Sequence, residues 1–457
     1  MLSTGAGRIY IKNVDALRKA GLVANTPIRI SYSKHRIVVK EDVNGNNKIM
    51  DTGRGETLEM RNKDVAKSVG DLSCVTVTFR KGMVIITIHQ ADKQKMEREQ
   101  SMINALVKGE PIRTASFFSG LGMLSWWIKK GLEKAGIRSQ ITFANDMSET
   151  AMECNLAGNA MWDDATADAY AVIDTLDGID MEALVNAHLI EIGYPCIAQS
   201  TLCKKENRDT KHPLVGTLFV KLLEAIRKIN PAMVCFENTP AFGNSETLDF
   251  IKREMPGYRF EQVVLDGHAF GELEGRKRVC VVAVSDGLPE LNLNNFSAPK
   301  NVERKVFSSV FEDISLDSPL WRRMEHLKRK TNETTNNFKN MLYTGVETTI
   351  ATITATYAAP KAGTPMIAHP LDSDLQRQVT CREHADIREL PVGVNKEVMK
   401  VAYGGSSMVS RKGSFTAAHR LLGNGVSKKA WMAMGAFLGN YLMNCVSHKT
   451  MQFDFAA

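Results

Sequence analysis

The sequence feature that most constrains the fold is a short apolar segment, 189–192, that runs into the loop 193–200. The segment Leu-Ile-Glu-Ile predicts a buried strand, and the loop has the sequence Gly-Tyr-Pro-Cys-Ile-Ala-Gln-Ser. The loop therefore lies at the carboxyl end of a strand, where open α/β sheets bind their ligands. Cys196 is thus a candidate nucleophile. A free cysteine is most often a small buried side chain, however, so one motif does not decide its role.

Length and composition indicate a globular protein of two to three domains. The chain has 457 residues, of which 44% are hydrophobic and 24% charged. No apolar run approaches the roughly 20 residues of a membrane span, and residues 1–7 lack the basic start and apolar core of a signal peptide. We therefore expect a cytoplasmic protein, associated with the nucleoid or made in a phage-infected bacterial cell.

Cysteine spacing and net charge bear on metal sites, disulfides and nucleic-acid binding. The eight cysteines are scattered and form no Cys-x-x-Cys pair, so we expect no metal and no disulfide framework. The net charge of +7 is compatible with a nucleic-acid partner.

The first ninety residues contain a repeated pattern. A strand, a short helix and an alternating hairpin are predicted over 9–40 and again over 58–88. This unit resembles the small hairpin modules of AbrB-like proteins, which bind DNA as dimers; a structural or protein-docking β-domain fits the same pattern. We predict a β-rich duplicated accessory domain over 1–90, for DNA binding or dimerisation, and a charged linker helix over 91–112.

A second domain begins with a glycine loop. Thr114 to Phe117 predict a short apolar strand, and the sequence Phe-Ser-Gly-Leu-Gly at 118–122 leads into a helix over 123–135. Glycines at such a turn let the backbone approach a ligand closely, and the helix N-terminus beyond favours a negative group.

Six blocks in one order over 115–442 resemble the DNA cytosine-C5 methyltransferases. The loops at Gly120 and Cys196 resemble the family's Asp-Leu-Phe-x-Gly-x-Gly-Gly and Pro-Cys-Gln-x-x-Ser. The other blocks resemble its Gly-Thr-Leu-Phe helix with a Glu-Asn-Val strand end, its Gln-x-Arg-x-Arg, its Arg-x-Leu-Thr-x-Arg-Glu and its closing Gly-Asn-x-Val, at 216–239, 274–278, 377–383 and 423–426. The resemblance implies an α/β fold: a Rossmann-like S-adenosylmethionine-dependent methyltransferase sheet with a target-recognition insertion.

The resemblance also implies a cofactor site for S-adenosylmethionine. Asp146 ends the second strand, where doubly wound folds bind a ribose, although the cap of the next helix is an alternative role. Asp164 would meet the adenine amino group. The implied cofactor residues are Phe118, Gly120, Leu121, Gly122, Asp146, Met147, Asp164, Pro195, Leu218, Asn424 and Val426.

The chemistry of the family requires a nucleophile. Carbon 5 of cytosine is too weak a nucleophile to attack a methyl sulfonium, and a thiolate added at carbon 6 converts the ring to an enamine. Cys196 would supply the thiolate, and the positive charge of Arg276 and Arg278 would help to form it. Glu237, protonated or sharing a proton, would stabilise nitrogen 3 of the ring. The base must be flipped out of the duplex to reach this site.

Basic residues indicate where double-stranded DNA would be held. By the resemblance, the loop after Cys196 closes over DNA and contacts its phosphates, although a solvated loop fits the same charges. The candidate DNA contacts are Ser200, Lys204, Lys205, Arg208 and Lys211 of this loop, with Arg322 and Arg323 further on. We predict a catalytic domain over 113–286, a target-recognition region over 287–375 and a C-terminal part that completes the catalytic domain over 376–457.

Two alternatives remain beside a DNA cytosine-C5 methyltransferase. The same fold could act on RNA. The chain could also be a decayed enzyme that only binds DNA, since Ser116, Met147, Ile197 and Glu274 depart from the family pattern. The sequence does not specify the target sequence, a restriction partner or the oligomeric state. Restriction-modification, phage protection and gene regulation share this chemistry, so the biological role is open as well.

Overall fold

The chain forms two compact units, Met1–Glu97 and Arg98–Ala457. The computed structural model describes residues 5–70, 72, 74–199, 203–332 and 341–454. Within these ranges, no helix has the length and apolar character that crossing a membrane requires.

The N-terminal unit contains the predicted repeat. Its first copy consists of β1 (Gly7–Ile11), α1 (Val14–Lys19), β2 (Pro27–Ser33) and β3 (Arg36–Glu41). Two short strands, β4 (Asn47–Lys48) and β5 (Met50–Asp51), lead to the second copy, which consists of β6 (Glu56–Asn62), α2 (Lys63–Val69), β7 (Thr76–Arg80) and β8 (Met83–Thr87). The side chains of Asn13 and Asn62 cap the two helices, by accepting hydrogen bonds from the amides of Ala16 and Val65.

Equivalent strands of the two copies pair with each other. β1 is antiparallel to β6, and β3 is antiparallel to β8. The two hairpins therefore form one sheet of order β4-β2-β3-β8-β7. Alternate residues of this sheet, among them Ile28, Ile37, Val39, Val84 and Ile86, are fully buried in the core of the unit.

The helix α3 (Gln90–Val107) follows, where the linker helix is predicted, and the boundary between the units falls within it. Its second half is anchored in the C-terminal unit. Arg98 donates to the carbonyl oxygen of Gly257 at 2.8 Å, and Glu99 accepts from the amide of Gly287 at 2.9 Å. Both charged side chains are buried, so this part of the helix is a fixed element of the unit.

The C-terminal unit is organised around a seven-stranded sheet of order β11-β10-β9-β12-β13-β15-β14. β15 runs in the direction opposite to the other six strands of this sheet. The strands are β9 (Ile112–Phe117), β10 (Ser139–Asn145), β11 (Tyr170–Val172), β12 (Leu189–Gly193), β13 (Met233–Asn238), β14 (Tyr258–Asp266) and β15 (Lys277–Ser285). The central strand β13 is apolar from Met233 to Phe236 because both faces of the sheet are covered there.

Helices connect these strands. They are α4 (Met123–Lys134), α5 (Glu149–Gly158), α6 (Leu218–Ile229) and α7 (Glu246–Glu254). The last helix of the chain, α12 (Lys428–Asp454), packs on α4. Glycines permit this close crossing, since a Cβ at Gly131 would lie 2.3 Å from the carbonyl oxygen of Met432.

A smaller sheet of order β16-β19-β18-β17 follows the main sheet in the chain. It consists of β16 (Arg322–Arg323), β17 (Met341–Tyr343), β18 (Pro365–Ala368) and β19 (Leu375–Arg377), with α8 (Glu325–Asn332) after β16. The helices α9 (Cys381–Ile387), α10 (Val392–Tyr403) and α11 (Phe415–Gly423) then lead to α12. Arg377 joins β19 to α9 through two hydrogen bonds of 2.7 Å to Glu383.

Candidate active site

Cys196 lies at the carboxyl edge of the main sheet, as predicted. It begins a single helical turn, Cys196–Ala198, three residues after the end of β12. β12 is parallel to β13, and Gly193 is in register with Glu237, so the loops that follow both strands meet at this edge. Glycine is needed at 193 because a Cβ there would lie 2.9 Å from the carbonyl oxygen of Phe118, on the loop after β9.

The reversed direction of β15 brings two arginines to the same edge. Arg278 is next to Val279, which is in register with Asn238 at the end of β13. Its Nε lies 2.9 Å from Oε1 of Glu237, and both side chains are largely buried, with 13% and 12% exposed. Glu237 and Arg278 therefore form an ion pair beside the cysteine loop.

Arg276 is buried and lacks one hydrogen bond. Only 4% of it is exposed, and its Nε has no partner within the described part of the chain. Burial, followed by the charges of Arg388 and Arg278, lowers the pKa of Arg276 well below its usual value. Since an unpaired buried donor is costly, this N–H favours an acceptor from a bound molecule.

The surroundings of Cys196 do not favour its thiolate, mainly because the thiol is buried. Burial first, and then the charge of Glu237, raise the pKa of the Cys196 thiol, while Arg278 and Arg276 act in the opposite direction. The sequence-based expectation that the arginines assist the thiolate is correct in sign, but the larger effect of burial outweighs them.

A second ion pair fixes the segment that carries Arg276. Glu274 pairs with Arg388, and both side chains are only 3% exposed. Glu274 also accepts from the amide of Ile353 at 2.8 Å, and Arg388 donates to the carbonyl oxygen of the same residue at 3.1 Å. The backbone amide of Gly275 donates to Ile350 at 2.9 Å, so the whole segment is held on a neighbouring loop.

The glycine loop after β9 contains residues in the left-handed backbone region. Phe118, Gly120 and Gly122 all have positive φ, of 54°, 54° and 73°. A Cβ at Gly122 would lie 2.5 Å from Nδ2 of Asn159, so no other residue fits there. Asp146, at the end of β10, accepts from the amide of Gly120 at 2.8 Å and from that of Ser148 at 2.8 Å. Burial raises the pKa of the Asp146 carboxyl.

Comparison with known proteins identifies this arrangement. The C-5 cytosine-specific DNA methylase family matches residues 112–400, which is more than half of the chain. The chain belongs to this family.

Curated relatives are similar over part of their length. The chain is 25% identical over 274 residues to the type II methyltransferase M1.BsuMI of Bacillus subtilis (strain 168), an alignment that covers 52% of this chain and 61% of that one. It is 29% identical over 143 residues to the type II methyltransferase M.MspI of Moraxella sp, covering 30% of this chain and 32% of the relative. The matches thus span less than two thirds of either relative.

The fold is similar to that of a solved methyltransferase. The crystal structure of the S. pombe Dnmt2 methyltransferase superposes with a TM-score of 0.51 and 16% identity, covering 73% of this chain and 99% of that one. The predicted Rossmann-like methyltransferase sheet is therefore confirmed.

One predicted cofactor residue of the family motif lies at the wrong end of the sheet. Lys129 donates to Asp164 at 2.8 Å and to the carbonyl oxygen of Ser139 at 2.6 Å. Ser139 begins β10, whereas Asp146 follows its carboxyl end. The structure thus places Asp164 away from Gly120, because a salt bridge holds it at the amino edge.

A different acid, Asp174, lies at the carboxyl edge of the sheet. Asp174 follows β11, and its carbonyl oxygen accepts from Nδ2 of Asn145 at 2.8 Å. The neighbouring side chains of Ile173 and Met147 are 44% and 69% exposed, so both present apolar surface at this edge. The apolar run 169–173 ending in an acid was the sequence signal for this position.

The remaining predicted cofactor residues have mixed environments. Pro195 precedes the turn at Cys196, and Leu218 is half-buried at the start of α6. Val426 is buried in the same apolar cluster as Leu121. Asn424 is exposed at the end of α11.

The predicted DNA contacts lie on exposed segments. Ser200 falls outside the described residues. Lys204, Lys205, Arg208 and Lys211 are exposed on two single turns, Lys205–Asn207 and Asp209–Lys211, and Arg322 and Arg323 are exposed on β16. Asp209 anchors the loop by accepting from the amides of Glu246 and Thr247 at 2.6 and 3.1 Å.

A buried acid behind the glycine loop was not predicted. Glu191, on β12, is in register with Ser116, which occupies the position of the family's usual Asp. Oγ of Ser125 lies 3.3 Å from Glu191 Oε2 and 3.0 Å from Ser116 Oγ, and Ser116 donates to Ser119 of the loop at 3.0 Å. Burial raises the pKa of Glu191 to about 8.

Glu191 predicts a pH dependence of stability. An unfolded glutamate titrates near pH 4.3, so the unfolded chain loses this proton before the folded protein does. The contribution of Glu191 to the free energy of unfolding is therefore largest below that pH. It decreases by up to about 1.4 kcal/mol per pH unit until about pH 8, where the folded protein also loses the proton. We expect Glu191→Gln to remove this slope, so that the free energy of unfolding of the variant increasingly exceeds that of the wild type from pH 5 to pH 8.

Urea titrations at four pH values measure this difference. The exposed Glu224→Gln is the matched control and should parallel the wild type throughout. A constant difference between Glu191→Gln and the wild type over pH 5–8 would contradict the assignment.

Proposed function

We propose that the chain is a DNA cytosine-C5 methyltransferase, which transfers a methyl group from S-adenosylmethionine to carbon 5 of a flipped cytosine. The observation that carries the proposal is that Cys196, the Glu237–Arg278 pair and Arg276 converge at one sheet edge, next to the glycine loop. The Nε of Arg276 has no hydrogen-bond partner among the described residues. Membership of the C-5 cytosine-specific DNA methylase family supports it.

The part of the carboxyl edge formed by the loop 118–122, Asp146 and Asp174 fits S-adenosylmethionine in shape and chemistry. The loop 118–122 excludes side chains at Gly122, as a close ligand requires. Asp146 uses one lone pair on each oxygen for an amide, which leaves acceptor capacity for ribose hydroxyls. Ile173 and Met147 offer apolar surface for the adenine ring, and Asp174 offers an acceptor for its amino group. The bound cofactor would supply an electrophilic methyl group.

The residues of the chain would then act on the base. The Cys196 thiolate adds to carbon 6, which makes carbon 5 nucleophilic; after methylation the proton at carbon 5 leaves, the S–C6 bond breaks and the thiolate is restored. Arg276 would donate its free N–H to an acceptor on the ring. Within the described residues, the ion pair with Arg278 engages Oε1 of Glu237, so Oε2 would face the amino edge of the cytosine.

Because Cys196 is a thiol at rest, its activation would follow substrate binding. Burial and Glu237 raise the pKa of this thiol, and a proton shared between Glu237 and the base would reduce the second of these effects. The exposed basic loop 203–211 would contact phosphates, and the region 287–375 with Arg322 and Arg323 would contact the target duplex.

Methyl transfer tests the function. We expect label from methyl-labelled S-adenosylmethionine at carbon 5 of cytosine in mixed-sequence unmethylated DNA, and loss of at least 1,000-fold of the rate in Cys196→Ser, because serine is a far poorer nucleophile at neutral pH. Chromatography of the hydrolysed DNA locates the label. Cys74→Ser, at an exposed cysteine of the N-terminal unit, is the control and should retain full activity.

Label on tRNA but not on DNA would favour the RNA alternative. Absence of label on any nucleic acid, with S-adenosylmethionine still bound, would indicate a decayed enzyme.

Measurement of S-adenosylmethionine binding tests whether Asp146, rather than Asp164, contacts the cofactor. We expect Asp146→Asn to weaken S-adenosylmethionine binding by about 10- to 100-fold, since a hydrogen bond to a charged group contributes about 1.5–3 kcal/mol. Asp164→Asn should change the affinity by less than about twofold, because that side chain is half exposed and paired with Lys129. Calorimetric titration measures both; an equal loss in the two variants would contradict the assignment.

A further inference from the structure

The whole net charge of the chain resides in its N-terminal unit. Residues 1–97 contain 17 Lys and Arg against 10 Asp and Glu, a net charge of +7, which equals the net charge of all 457 residues. The C-terminal unit, which carries the candidate active site, is therefore neutral overall. A charge of this size on fewer than a hundred residues favours binding to a polyanion.

Part of this charge lies on one side of the four-stranded part of the sheet. The registers of β2, β3, β8 and β7 place twelve side chains on the side opposite the apolar core, in three rows across the strands. The rows are Ser33-Arg36-Thr87-Thr76, Ser31-Val38-Ile85-Thr78 and Arg29-Lys40-Met83-Arg80. We call these twelve residues the hydroxyl-basic face.

The composition of the hydroxyl-basic face is suited to phosphate. Four of its residues are Arg or Lys, five are Ser or Thr, and none is acidic. The hairpin turns add the exposed Lys34 and Lys81 at the two ends. Arg29 is paired with Asp42 at 2.6 Å, whereas Arg36, Lys40 and Arg80 form no salt bridge among the described residues. Guanidinium, ammonium and hydroxyl groups are the common side-chain donors to DNA phosphates.

The dimensions of the face allow several such contacts. Strands are about 4.8 Å apart and alternate residues about 6.8 Å apart, so the face is roughly 14 Å on each side. Duplex DNA carries one charge per about 1.7 Å of axis, so a segment of this length carries about eight charges. The face contains no Asn or Gln, the side chains that pair with adenine edges, which favours contacts to the backbone over contacts to bases.

We propose that the hydroxyl-basic face of the N-terminal unit binds the phosphate backbone of duplex DNA without sequence preference, and so adds affinity for DNA to that of the catalytic unit. The occupant follows from charge complementarity and from the membership of the chain in a family of DNA methylases. The other polyanion, RNA, and a second copy of the chain are outcomes that the experiment separates.

The test uses the full chain and two matched triple variants. Arg36→Gln with Lys40→Gln and Arg80→Gln removes three charges from the face. Lys12→Gln with Lys19→Gln and Lys67→Gln removes three equally exposed charges elsewhere on the same unit. Anisotropy of a labelled mixed-sequence 30-base-pair duplex is measured from 50 to 200 mM salt, without cofactor, so that the result does not depend on methyl transfer.

We expect the face variant to bind at least tenfold more weakly at 100 mM salt. The slope of log K against log salt should decrease by about 2 to 3, since each lost phosphate contact contributes about 0.9. The control triple should lose less than about threefold. The face variant should unfold at the same temperature as the wild type in a thermal melt followed by circular dichroism, which excludes misfolding.

Four results would overturn the proposal. Equal losses in the two triples would mean that net charge, not this face, determines affinity. Unchanged affinity in the face variant, or tighter binding of RNA than of DNA through the same residues, would exclude duplex DNA as the occupant. A dimer of the wild type that dissociates in the face variant, measured by sedimentation, would assign the face to self-association.

Discussion

The ion pair between Glu237 and Arg278 is the contact on which the candidate active site depends. It forms because β15 enters the sheet in the reverse direction, beside the parallel strand β13. A parallel strand at that position would place Arg278 at the opposite edge, away from Cys196. The topology of one strand therefore decides whether the thiol, the carboxylate and the guanidinium groups face the same substrate.

Charges in and behind this edge are buried, and most are paired. Glu274 with Arg388, and Glu383 with Arg377, lie almost wholly inside the protein. Removing one partner of such a pair leaves a buried charge unpaired and is strongly destabilising, so these pairs hold the surrounding loops in one arrangement. Arg276 differs in having no ion-pair partner among the described residues, and its buried Nε also lacks a hydrogen-bond partner there. A preformed but incompletely satisfied donor of this kind is suited to a base that enters the site only after it is flipped from the duplex.

Much of the fold could be predicted from local patterns. The repeat in the N-terminal unit, the strand before Cys196 and the glycine loop each follow from short-range alternation, apolar runs and turn residues. The position of Asp164 could not be predicted, because its salt bridge with Lys129 joins residues 35 apart. β11, whose end supplies Asp174, is only three half-buried residues long and gives a weak pattern. Glu191 is an acid inside an apolar strand, and its burial becomes evident only when both faces of the sheet are covered. The contact of Glu274 with Arg388, 114 positions later, depends on the complete tertiary structure.

The most direct test of the account is to trap the covalent bond between Cys196 and the base. A duplex containing 5-fluorocytosine blocks the final step, because the fluorine at carbon 5 cannot leave as the proton does, so the protein stays attached. The account predicts a protein–DNA complex that survives denaturing electrophoresis with the wild type and S-adenosylmethionine, with the added mass on the peptide that contains Cys196, and no complex with Cys196→Ala. A complex that persists in Cys196→Ala, or a wild type that methylates normal DNA but yields no complex, would contradict it.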